Sequence, residues 1–179
     1  VNQLAKGFEL GPNLDIIPKV NQAYLDMADQ DKANRKYILS AHRNFLRDAI
    51  YFLYSHNRVA DAAHWFKELG TRYPDKIIID GDTNSYPRNV TLDQYAVARV
   101  QDDVGDAKSH DRVKSAIEGL LVNYYTTMAI GDDEHAAGYY LLARRVYEAY
   151  EYETRMRSAP LKMASLEDID KEIRRRLLD

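Results

Sequence analysis

Apolar positions recur with a period near 3.6 along most of the chain, the spacing that gathers side chains onto one stripe of an α-helix. From Asp31 to Ser55 there is neither Gly nor Pro, and Leu46, Ala49, Ile50 and Leu53 fall at i, i+3, i+4 and i+7, which predicts one long amphipathic helix. Ser55, His56 and Asn57 supply a turn, after which Val59, Ala62, Ala63, Phe66 and Leu69 form the next stripe. Gly70 is the expected cap of that helix, and Pro74 blocks its continuation by biasing Tyr73 toward an extended backbone. Upstream, residues 13–29 read as a helix whose continuous part starts at Pro18, because proline lacks the donor that a helix interior needs. Between Lys76 and Asn89 the helical period gives way to three isoleucines followed by Gly, Asp, Asn, Ser and Pro, which predicts the one long loop. Thr91 followed by Gln94 makes a capping box for a helix over about Leu92–Val104. The charged stretch 106–111 reads as a connector. Further helices are expected from Arg112 to Ile130 and, after a stop at Gly131 and Asp132, from Glu134 to Arg155. Pro160 interrupts, and Ser165 with Asp168 forms a second capping box. It opens a terminal helix with Leu166, Ile169, Ile173 and Leu177 on one face. The fold class predicted is all-α.

Two of the helical hairpins can be laid over one another. In the first, Ala62 is followed by Phe66, Leu69 and Pro74; in the second, Ala136 is followed at the same intervals by Tyr140 and Ala143, with Glu148 where the proline would stand. A small residue at the first position lets helices approach, the aromatic fills the space between hairpins, and the proline closes the unit. With Leu46 and Leu53 at the aliphatic positions of the first helix, the stretch Asn44 to Asp75 resembles the tetratricopeptide repeat (TPR) family. Ile117 to Tyr150 is a weaker copy, carrying Leu120, Tyr124 and Gly131 in phase. The resemblance implies a single helical-repeat domain over residues 1–179, with antiparallel hairpins stacked as a short, degenerate TPR-like right-handed superhelix. Its clearest repeat spans 43–76, its weaker one 117–150, its inserted loop 76–90 and its capping helix 165–178. Residues 77–116 are left open as one expanded repeat. Arg72 to Asp75 also resembles the repeat ends of bacterial envelope scaffold proteins.

Charge and composition remove whole classes of partner. With 25 basic and 28 acidic residues the formal net charge is -3, so there is no cationic excess to neutralise a nucleic-acid backbone or an anionic bilayer. The longest uninterrupted apolar run, Ala49 to Tyr54, falls far short of the roughly 20 residues that cross a bilayer, so no membrane insertion is expected. The absence of cysteine excludes disulfides, thiolate nucleophiles and Cys-ligated metals, and is compatible with either redox compartment. The chain opens at Val1 with no signal-peptide pattern, as a mature or trimmed form would.

Catalytic constellations are equally sparse. The five histidines, 42, 56, 64, 110 and 135, include no metal-binding helix pair, and there is no phosphate loop, nucleophile elbow or dinucleotide fingerprint. His110 with Asp111, and His64 with Asp61, read as ordinary surface neighbours, not acid–base pairs. Asp80, Asp82 and Asn84 alternate as in a calcium loop, but Ser85 and Thr91 stand where the turn glycine and bidentate glutamate belong, so a polar turn is expected. Arg174, Arg175 and Arg176 end a helix that begins with Glu167 and Asp168, an arrangement that suits the helix dipole. Tyr140, Ala143, Tyr147 and Tyr150 share a stripe expected in the interior, with hydroxyls at its edge. No catalytic residue, metal or cofactor is therefore assigned.

What remains is binding. TPR-like modules take peptides or partner proteins in a groove lined by the first helix of each hairpin. The positions opposite the Leu46–Leu53 stripe are Asn44, Arg47, Tyr51 and Tyr54, matched on the later helix by Glu118, Leu121, Tyr125 and Met128. Asn44, Arg47, Tyr51, Tyr54 and Tyr125 are thus the expected contacts of a non-catalytic scaffold, since Tyr and Arg concentrate binding energy. Two other readings stay open: a small-ligand or enzyme-associated domain with a pocket near loop 76–90, and a structural spacer within a longer protein.

Overall fold

The computed structural model describes residues 13–104, 110–156 and 163–178, and the described residues are all-helical with no strand. Seven α-helices follow a short 3-10 turn at Leu14–Ile16: α1 (Ile17–Gln30), α2 (Arg35–Ser55), α3 (Val59–Arg72), α4 (Leu92–Val104), α5 (His110–Ala129), α6 (Asp133–Met156) and α7 (Leu166–Leu178). The chain divides into two compact units within α2, Val1–Phe45 and Leu46–Asp179.

In the first unit α1 starts one residue before Pro18, whose missing donor costs nothing in the first turn. The turn into α2 is tied by Asp31, whose carboxylate accepts from the backbone and side-chain nitrogens of Asn34 at 3.1 and 2.8 Å. These bonds hold the Asp31 carboxyl below its ordinary pKa. Between the helices, buried His42 lies 2.8 Å from Asn21 Oδ1, and its ring packs with Tyr24 and Phe45.

The second unit holds most of the core. Leu46, Ala49, Ile50 and Leu53 are all buried, as the period predicts. The inner face of α3 is Ala62, Trp65 and Leu69, while Ala63 is exposed and Phe66 half-buried. The expected stop at Gly70 is not where α3 ends. The helix runs to Arg72 and stops before Pro74, and Gly70 is instead where Pro87 comes close: a Cβ there would lie 3.1 Å from the proline's own.

Loop 73–91 folds on itself and onto the helices. Ile78 is fully buried and its N–H donates to Ser85 O at 2.9 Å, and the buried Ser85 hydroxyl lies within 3.0 Å of both Ile79 N and Ile79 O. Asp82 accepts from Asn84 N–H at 2.8 Å, a polar turn closed by its own side chain, with Gly81 at φ +79°.

The capping box at Thr91 forms in full, while at Ser165 the N-cap bond forms and the Asp168 carboxylate accepts from the Ser165 hydroxyl at 2.6 Å instead of from its backbone N–H. Gln94 Oε1 accepts from Thr91 N at 2.8 Å and Thr91 Oγ1 from Gln94 N at 3.2 Å, and Ser165 Oγ accepts from Asp168 N at 3.1 Å. The α5 helix begins at His110, two residues earlier than expected; the rest of the 106–111 connector, and Pro160, lie outside the described residues. The α5–α6 hairpin turns at Gly131, whose φ of +83° favours glycine. Helix α5 packs against α6 and α7, and the buried residues are Val113, Ile117, Leu120 and Leu121 of α5, Ala136, Leu142, Ala143 and Val146 of α6, and Ile169 and Ile173 of α7.

Candidate functional site

The helical period of three elements converges on one open groove. From α5 come Tyr124, Tyr125 and Met128, from α6 Tyr140, and from α7 Asp170, Arg174, Leu177 and Leu178, the last four at helical spacing on one face. The groove has a volume of about 770 Å³ and continues past Tyr124, Met128 and Tyr140 toward Ala136, Ala137 and Asp133. Tyr124 is the hub of its floor: its ring centroid lies 4.8 Å from that of Tyr125 and 5.3 Å from that of Tyr140, each pair tilted by about 50°.

One polar pair of the floor is already committed. Tyr125 donates its hydroxyl proton to Asp170 at 2.9 Å, and burial together with that bond pushes its pKa up to about 12, so it stays a neutral donor. Apolar surface is what the groove leaves open: Met128 is 39%, Tyr140 38%, Leu177 46% and Leu178 77% exposed. Arg174, on the α7 wall, contributes a cation above this surface.

The residues expected to bind a partner separate into two groups. Tyr125 lines the groove, as does Met128 from the same face of α5; Leu121 is buried and Glu118 is held by Lys114 and Arg176. Asn44 is exposed on α2. Arg47 and Tyr54 do not face an open groove, because loop 76–90 and α4 cover their side of the helix. Arg47 is 7% exposed and donates to Asp80 at 2.8 Å, while the buried Tyr95 hydroxyl donates to the Arg47 carbonyl at 2.8 Å. Tyr54 is fully buried and donates to Asp93 at 2.5 Å, and Asp93 is also paired with Arg145 at 3.2 Å. Tyr51 is half-buried under the Arg99 guanidinium, which lies 5.5 Å from its ring centroid and pairs with Asp48 at 2.9 Å.

Two floor residues were not singled out by sequence as contacts. Tyr140 belongs to the stripe expected inside, yet the inner face of α6 is built from Ala136, Leu142, Ala143 and Val146, and Tyr147 and Tyr150 are half-buried beside it. Tyr124 has the right repeat phase, but the period alone does not say that α7 leaves its end uncovered.

The remaining chemical candidates have local partners. Asp80 is taken by Arg47, His110 Nδ1 lies 3.1 Å from Asp111, and His64 sits edge-on to Trp65. Among the described residues no group of three or more His, Cys, Asp or Glu is arranged to hold a metal ion, and no helix is long and apolar enough to cross a membrane. Comparison with protein-family models, with curated proteins and with solved structures finds no match to this chain.

Proposed function

We propose that this chain is a TPR-like helical module that holds a segment of a partner protein in the groove between α5, α6 and α7, with no catalysis of its own. The observation that carries the reading is the pairing of exposed Met128, Tyr140 and Leu177 with a Tyr125 hydroxyl already satisfied by Asp170. An apolar side chain entering there displaces water without stripping any buried polar group of its partner, the condition under which contact area becomes affinity. Tilted aromatic rings beside an arginine are the residue types in which binding energy concentrates.

Support for the repeat reading comes from the phased small residues. Ala62, Ala136 and Ala143 are all buried, the α5–α6 turn needs Gly131, and α3 ends just before Pro74. The aromatic positions are the degenerate ones, with Phe66 half-buried and Tyr140 turned to the groove.

Met128→Glu and Tyr140→Ala test the function. Both side chains are partly exposed, so the variants are expected to keep wild-type helicity by circular dichroism while losing a partner that copurifies with the wild-type chain. Retention of that partner by both variants contradicts the assignment.

A further inference from the structure

Outside the groove, a close junction lies where the α2–α3 turn meets the first turns of α6. The α6 backbone approaches so closely at Gly138 that a Cβ there would overlap the Ser55 carbonyl oxygen and lie 2.7 Å from Asn57 N. Beside this contact the imidazoles of His56 and His135 lie face to face, centroids 3.6 Å apart and planes 12° from parallel. The outer face of His135 is covered by Tyr139 at 4.5 Å. Two neutral imidazoles stack favourably at this distance; two imidazolium ions repel.

The surroundings provide for one positive charge, not two. His56 Nδ1 lies 2.7 Å from the Phe52 carbonyl, which can only accept, so the neutral ring carries its proton there. The other polar group α2 brings to it is the Ser55 hydroxyl, at 3.4 Å. Two residues beyond, on the α3 side, the charge is Arg58, a cation paired with Asp61 at 2.8 Å.

From the α6 side, Asp132 caps the helix by accepting from His135 N at 3.1 Å, and its second oxygen lies 3.6 Å from His135 Nδ1. Asp133 and Glu134 follow in the same turn but are exposed, where water screens them. The helix N-terminus adds positive potential that further disfavours a cation. Burial first, and the neighbouring His56 second, hold the pKa of His135 below the ordinary value of about 6.5, against the pull of Asp132.

We propose that the His56–His135 stack is an acid-sensitive latch: with His135 neutral it fixes the α2–α3 turn against α6, and protonation of His135 at mildly acidic pH releases that turn. The sign follows from linkage. A histidine depressed in the folded state binds protons more readily once the junction opens, so stability held above the ordinary value is lost as pH falls below it. Each unit by which His135 titrates low corresponds to a tenfold change in the opening equilibrium.

Amide hydrogen exchange of the whole chain at pH 7.5 and pH 5.0, corrected for intrinsic rates, reads this directly. The expected result is a loss of protection at the lower pH that is confined to residues 52–60 and 132–140. His56→Phe/His135→Phe, which keeps two stacked rings but cannot titrate, is expected to lose that local change. A fall spread evenly over the chain, or one that persists in the double variant, overturns the proposal. Should the variant not fold, the ring titration of wild type by NMR decides: a pair with one step well below an unstructured histidine supports the latch, and two ordinary titrations refute it.

Discussion

Gly138 and Gly119 both lie inside helices, yet alanine at the two positions should act in opposite directions. At Gly119, in α5, a Cβ meets nothing within 4 Å, so only the intrinsic preference of the helix counts. Replacing glycine by alanine in an open helix position is worth about 1 kcal/mol, and for a chain of this length that raises Tm by about 2–4 °C. At Gly138 the same methyl meets the Ser55 carbonyl and Asn57 N, backbone atoms that no rotamer change can move aside. Overpacking of this kind costs about 1–3 kcal/mol when side chains can adjust, and a backbone neighbour puts it at or above the upper end. After subtracting the propensity gain, Gly138→Ala is expected to destabilise by about 2 kcal/mol or more, a fall in Tm of about 4–8 °C. Urea denaturation followed by circular dichroism and by fluorescence of buried Trp65 measures both variants under one protocol. If Gly138→Ala gains stability alongside Gly119→Ala, the close approach of α6 to the α2–α3 turn is wrong.

Three tyrosines provide a second check, because burial pushes Tyr54, Tyr95 and Tyr125 each up to about 12, with hydrogen bonds to Asp93 and Asp170 adding to the effect at Tyr54 and Tyr125. The folded chain then keeps protons that the unfolded chain has lost, so stability drops as pH rises from about 10 to 12 and tyrosinate absorbance should appear with unfolding, not before it. An early, non-cooperative titration of all tyrosines contradicts this. Thr91→Ala removes the acceptor for Gln94 N at the start of α4 and should cost about 1 kcal/mol by urea denaturation, whereas Thr91→Ser should cost much less. Equal losses in the two variants would mean that the cap contributes through the methyl group and not through the hydroxyl.

Features with a local cause were legible in the sequence. The capping box at Thr91, the N-cap bond at Ser165, the end of α3 before Pro74 and the turn at Gly131 each follow from a few neighbouring residues, and all are present. Features set by segments distant in sequence were not. Arg47 and Tyr54 lie off the apolar stripe of α2, and nothing near them shows that loop 76–90 and α4 fold over that side. Gly70 read as a stop because glycine often is one, while its reason here is the approach of Pro87, seventeen residues away. For Gly138 the same holds more strongly, since a glycine in the middle of a helix carries no sign of the backbone it must admit. The groove was half legible: helical phase put Tyr125 and Met128 on one face, but Tyr140 reached the floor only because smaller residues fill the inner face of α6.

Occupancy of the groove between α5, α6 and α7 by a partner decides whether the chain is a binding module. A photo-crosslinking residue placed at Tyr140, compared with one at exposed Arg155 on the same helix, tests this in the intact chain. The expected result is a discrete crosslinked adduct from position 140 that disappears with Met128→Glu and is absent from position 155. Matching adducts from both positions, or an adduct at 140 indifferent to Met128→Glu, would contradict the groove as the binding site.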